Sequence, residues 1–214
     1  MTMIIYRLKT KLSIKRLRLL TGFALIELIT VISIVAVLSS IVIIAVNPPK
    51  LFQESRDLKR MSDIASIDKA INQLMGYAVT SSIFGGSPNI VYISIPDASS
   101  TCANLGLPSL PTGWSYSCST QDNYRKIDGT GWIPINFSTL SIGSPLSNLP
   151  VDPKNTTSTS QYYTYVTGGS YELTATLESE KYSDKSTTDG GIDPATLEIG
   201  TDLKLSPFVH GLVG

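Results

Sequence analysis

The residues able to do chemistry in this chain are few, and their spacing excludes most reactions. A single histidine, His210, stands between Val209 and Gly211 without an obvious partner. Cys102 and Cys118 are the only thiols. No HExxH, GxSxG, GxxxxGK[ST] or paired CxxC pattern occurs, so zinc-hydrolase, serine-hydrolase and phosphate-loop chemistries have no candidates. The cysteines suit one intramolecular disulfide in an exported chain, or else two buried thiols. Residues 184–202 are acidic and contain glycine, and Asp184, Asp189 and Asp193 offer oxygens to calcium. Their spacing is not that of an EF-hand, and a flexible acidic surface tail is the plainer reading. Tyr162, Tyr163, Tyr165, Trp114 and Trp132 offer aromatic faces, but strand aromatics more commonly pack a core. The expectation is a protein that is not an enzyme and carries no cofactor.

One charge stands out by its surroundings. Residues 23–46, FALIELITVISIVAVLSSIVIIAV, are apolar almost throughout and contain a single ionisable side chain, Glu27. As a helix, 24 residues span ~36 Å, enough to cross a hydrocarbon core of ~30 Å. A carboxylate inside such a helix costs ~2.5–3.5 kcal/mol on insertion scales and marks a function by default. The first 22 residues hold six basic side chains (Arg7, Lys9, Lys11, Lys15, Arg16, Arg18) and no acidic one. That favours keeping this end in the cytoplasm and everything after Asn47 outside. The whole chain is formally neutral, with 17 basic and 17 acidic residues. Without those six the basic count is eleven against seventeen, so the remainder carries about −6 and matches nucleic acid poorly.

Gly22-Phe23-Ala24-Leu25-Ile26-Glu27-Leu28, followed by the apolar run, resembles the processing signal of type IV prepilins and of the pseudopilins of type II secretion. The resemblance implies that a prepilin peptidase cuts between Gly22 and Phe23, that the new Phe23 amine is methylated, and that Glu27 becomes the fifth mature residue. Ala24 departs from the threonine or serine usual in the family. Cleavage would remove six charges that no filament core can bury, and leave one amine for Glu27 to neutralise, on its own helix or a neighbour's. The implied partners are copies of the chain or sister subunits, the prepilin peptidase and an inner-membrane assembly platform. A pilus subunit and a secretion pseudopilin both fit, as does, outside the family, a surface protein that is anchored and never polymerises. An ordinary secretory signal cut near Ala45 is disfavoured by the length of the apolar run and by its glutamate. Within the run, Ser33, Ala36 and Ser40 form a small-residue stripe of the kind that lets helices approach closely.

The elements that must position these residues follow from pattern. The organisation expected is a leader (1–22), an apolar assembly helix (23–46), a break with an amphipathic helix (47–79), and an outer head (80–214). Asn47-Pro48-Pro49 should interrupt the first helix. Residues 51–79 read as a second helix, with Ile64, Ile67, Ile71, Leu74 and Ala78 on one face. Arg56, Asp57, Lys59, Arg60, Asp63, Asp68 and Lys69 are taken mostly as a solvated face. Residues 89–95, 114–119 and 132–137 are strand candidates, and 162–178 a hairpin turning in two residues at Gly168-Gly169. Tyr171, Leu173, Ala175 and Leu177 alternate along its second strand and suit the face under the helix. The predicted class is α+β: a long N-terminal helix, transmembrane and then amphipathic, packed on a small antiparallel sheet, as in pilin heads. Leu149-Pro150-Val151-Asp152-Pro153 also resembles a subset of pilin-like proteins, whereas the mid-chain cysteines do not match the C-terminal disulfide common in pilins.

Overall fold

In the computed structural model, which describes residues 24–77, 81–140 and 143–208, helix α1 runs Leu25–Val46 and α2 runs Pro48–Tyr77. Between them Asn47 adopts a left-handed backbone, φ 47°, which asparagine tolerates better than most residues. Pro48 and Pro49 then open α2 three residues ahead of the expected start. The first turn of a helix has unpaired N–H groups anyway, so proline loses nothing there. The chain divides into two units, one ending at Asn47 and one beginning at Pro48.

In the second unit, α2 buries Ile64, Ile67, Ala70, Ile71 and Leu74, steps of three and four that fall on one face. That face meets Tyr163, Tyr165, Tyr171, Leu173 and Ala175 of a five-stranded sheet. The strands are β1 Ile90–Ile93, β2 Ser115–Ser117, β3 Tyr163–Thr167, β4 Tyr171–Thr176 and β5 Thr196–Gly200, in the order β2-β1-β3-β4-β5. The opposite face carries Val91, Ile93, Tyr162 and Val166, covered by Leu105, Leu107, Leu110 and Trp114 from the β1–β2 connection and by Leu205 and Phe208. With both faces covered, all five residues of β3 are buried.

Four expectations need correction. The sheet is mixed, because β1 and β2 run parallel while the other three pairings are antiparallel. A parallel pair needs a long crossover, and residues 94–114 supply one. The hairpin loop has three residues, since Thr167 pairs with Tyr171, and only Gly169 takes positive φ, at 92°. Residues 132–137 form no strand: Pro134 has no N–H to give a ladder, and the segment makes one isolated bridge, Asp128 with Asn136. It is still core, with Trp132, Ile133, Ile135 and Phe137 buried and Trp132 Nε1 donating to the Pro150 carbonyl at 2.9 Å. Finally, residues 196–200, read as acidic tail, are the edge strand β5.

Cys102 and Cys118 are bonded, with their Cα atoms 5.3 Å apart. The bridge ties the crossover to the residue that follows β2, and both sulfur-bearing residues are buried in the second cluster. A loop of 16 residues closed in this way contributes about 3 kcal/mol in the chain-entropy model. Replacing both cysteines by serine should therefore lower the unfolding free energy by ~3 kcal/mol in denaturant titrations of the full chain in detergent. A loss below ~1 kcal/mol would show that the crossover is held by its packing alone.

Candidate functional site

Helix α1 is the first candidate. Its 19 residues Leu25–Ile43 have a mean hydropathy of 2.6 and none is buried. The large apolar side chains among them are each between 46% and 75% exposed. The helix is long and apolar enough to cross a membrane. Glu27 lies in its first turn, where Oε2 accepts the Ala24 N–H at 3.0 Å. Ala24 is the N-cap residue and has no side-chain oxygen to offer the helix, so this bond is the side-chain contribution to that terminus. The stripe hydroxyls are satisfied inside the helix. Ser33 Oγ donates to the Ile29 carbonyl at 2.8 Å and Ser40 Oγ to Val37 at 2.7 Å, leaving a surface of small size rather than free donors. Gly22, Phe23 and His210 lie outside the described residues.

The second candidate was not legible as a site. Asp57 and Arg60 are fully buried and Asp63 nearly so, which overturns the solvated-face reading for these three. The Arg60 guanidinium makes a forked contact with Asp152, Nε to Oδ2 at 2.6 Å and Nη2 to Oδ1 at 3.1 Å. Its Nη1 reaches both Asp57 Oδ1 and Glu178 Oε1 at 2.7 Å. Glu178 also takes Arg56 at 2.5 and 2.9 Å and Lys154 at 2.8 Å. Arg56, Arg60 and Lys154 thus balance Asp57, Asp152 and Glu178, three charges against three. Backbone donors complete the shell: Glu178 and Ser179 N–H to Asp57, and Lys154 N–H to Asp152. Burial opposes the charge on Arg60, but Asp152, Glu178 and Asp57 more than offset it and hold the guanidinium protonated. Burial likewise opposes ionisation of Glu178, yet Arg56, Lys154 and Arg60 keep its carboxyl far below the ordinary range. Every group here is spent on its neighbours, so the cluster fastens α2 to the 152–155 turn and to the chain after β4. Asp63 and Asp68 add tethers, accepting the hydroxyls of Tyr163 at 3.1 Å and Tyr171 at 2.6 Å.

The calcium candidates are not brought together. Asp184 is exposed in the short helix α3, Ser183–Thr187. Asp189 accepts the Gly191 and Glu198 N–H groups, and Asp193 the Ala195 N–H and Thr196 hydroxyl. Among the described residues, no three acidic, histidine or cysteine side chains converge on a metal position. The aromatic platform also dissolves. Tyr162, Tyr163, Tyr165 and Trp132 are buried, and only Trp114 is half-exposed. No family model matches the chain, and neither a curated protein nor a solved structure matches it.

Arg60→Met leaves Asp57, Asp152 and Glu178 buried without their shared cation, and should cost about 3–5 kcal/mol of unfolding free energy, whereas Arg60→Lys should lose less. Because the native Glu178 carboxyl stays ionised where the unfolded one takes up a proton, stability should fall as pH drops below about 4.5. Acid titration of unfolding in wild type and Glu178→Gln checks this, the variant having the shallower acid slope.

Proposed function

We propose that this chain is a structural subunit of a type IV-type filament, made as a precursor, processed between Gly22 and Phe23, and assembled through α1. The observation that carries the reading is α1 itself: an apolar helix with every residue from Leu25 to Ile43 exposed and one carboxylate, Glu27, in its first turn. A helix that only anchored would have no use for that carboxylate. In the precursor the six basic leader residues keep the chain in the membrane with its head outside. Removing them leaves one amine at the helix start, and a neighbouring carboxylate is the cheapest way to neutralise it out of water. Glu27 is already turned toward the backbone N–H of Ala24, the residue that would follow the new N-terminus.

In this reading the filament core is a bundle of α1 helices, packed closely along Ser33, Ala36 and Ser40, and the heads coat it. The exposed Leu51, Phe52 and Leu58 in the opening turns of α2 are further apolar contacts for neighbouring subunits. The subunit is structural and has no catalytic role; the prepilin peptidase and the assembly platform act on it. The long, disulfide-tied crossover in the head favours a pilus subunit over a secretion pseudopilin, since it elaborates the surface a fibre displays.

Replacing Glu27 separates assembly from anchoring. Glu27→Leu should insert in membranes at least as well as wild type, remain cleaved, and yield no filaments in the sheared fraction. Filaments at wild-type abundance from Glu27→Leu would overturn the proposed role, and absence of filaments from wild type would favour an anchor that does not polymerise.

A further inference from the structure

The sheet face turned away from α2 holds two carboxylates that no cation among the described residues meets. Glu172 of β4 and Glu198 of β5 are 0% and 1% exposed. The register pairs Glu172 with Gly200 and Thr174 with Glu198, so the two glutamates are diagonal neighbours on one face. Each uses one oxygen to hold a separate piece of chain. Glu172 Oε2 accepts the N–H groups of Leu205 and Ser206, both at 2.8 Å. Glu198 Oε2 accepts the N–H of Asp193 at 2.9 Å. The remaining oxygen of each, Oε1, is buried and receives no donor, on the face where the register sets the two side chains diagonally side by side.

Among the described residues no cation pairs with either carboxylate. Around the pair, the loop before β5 contributes Asp189 and Asp193, β2 and β3 bring Tyr116 and the preceding Tyr162, and the segment after β5 brings Asp202 and the exposed Lys204. A cavity of about 60 Å³ beside Glu198 is lined by Thr164, Thr174, Thr196, Tyr162, Ser206 and Phe208, and among the described residues no cation lines it. The Thr164 and Thr174 hydroxyls are already bonded to each other at 2.6 Å. Two buried carboxylates in contact cannot both be ionised, as in dyads that share one proton.

We propose that Glu172 and Glu198 hold one proton between their Oε1 atoms, and that this acid–carboxylate pair latches the 205–206 segment and the Asp193 turn onto the outer face of the sheet. When the proton leaves to solvent, two buried negative charges face each other. The relief is for Glu172 to turn outward, which breaks both of its bonds to the 205–206 backbone. Leu205 and Phe208 then leave the second apolar cluster, where Phe208 stacks on Tyr116 with ring centroids 6.3 Å apart. Burial first, and then contact with Glu198, push the Glu172 carboxyl up to about 8, and burial also raises Glu198. The native pair therefore keeps a proton that the unfolded chain has released above about 4.5. Stability falls as pH rises between those values and levels off beyond. The latch does not depend on the filament reading.

The test uses the full chain in detergent micelles, with unfolding followed from pH 5 to 9.5. The folding equilibrium constant of wild type should fall up to about tenfold per pH unit until near pH 8 and then flatten. Hydrogen exchange across residues 203–208, corrected for its intrinsic pH dependence, should lose protection above about pH 8. Glu172→Gln puts an amide N–H₂ where the shared proton was and keeps an oxygen for Leu205 and Ser206, so it should abolish the slope and retain protection at high pH. The Glu172→Gln/Glu198→Gln double variant sets two donors face to face and should be less stable than either single variant. A wild type without the slope, a Glu172→Gln variant that keeps it, or a double variant as stable as the singles would overturn the shared proton. Calcium chloride that removes the slope at micromolar concentration would overturn it in favour of a bound cation.

Discussion

A guanidinium shut off from water must have its charge met by the chain, and Arg60 meets it with carboxylates from three separate stretches: Asp57 one turn earlier in α2, Asp152 after the Trp132 segment, and Glu178 after β4. No pair of these stretches is close in sequence except Arg60 and Asp57. The contact therefore exists only when α2, the 149–155 segment and the end of β4 are in place together. It sets the rotation of α2 about its own axis. With Arg60 turned to Asp152 and Glu178, the side chains one, two and three turns on, Ile64, Ile67 and Ile71, are delivered onto Tyr163, Tyr171 and Leu173. Buried ion pairs are poor sources of net stability, since desolvation cancels much of the attraction. We read this one as a device of register, with the apolar face supplying the free energy.

The same logic explains the tyrosines. Tyr163, Tyr165 and Tyr171 place large apolar rings beneath α2, and each hydroxyl ends on an acceptor at the rim: Asp63, the Phe84 carbonyl and Asp68. An aromatic core with polar tips thus adds three directional tethers to non-directional packing. On the other face the disulfide-tied crossover and the 205–208 segment form a second layer. There the two buried glutamates lie beside an aromatic cluster that includes Tyr116 and Phe208.

What could be read from the chain in advance was whatever depends on local periodicity or on a contiguous signal. The apolar run, Glu27 within it, the Ile64–Ile67–Ile71 face and the alternation at Tyr171, Leu173 and Ala175 are all of this kind. Missed features depend on distant partners. Nothing near Arg60 announces Asp152, 92 residues away, so a buried cation looked like one more surface charge. Residues 196–200, Thr-Leu-Glu-Ile-Gly, alternate as a strand should, but the acidic loop before them hid it, and only pairing with β4 makes them a sheet edge. The strand at Ser115–Ser117 lies within the candidate 114–119, but its parallel pairing with β1 depends on the path of the crossover, which local pattern does not encode. Pro134 was the available warning that 132–137 would not pair as a strand, outweighed by the apolar residues around it.

The proposed filament subunit requires that the basic residues before α1 be removed. The most direct measurement is the N-terminal peptide mass of the protein recovered from cell envelopes. The account predicts a peptide beginning at Phe23 with one additional methyl group on its amine. A peptide that still carries Arg7 to Arg18, or one that begins near Ala45, would contradict it.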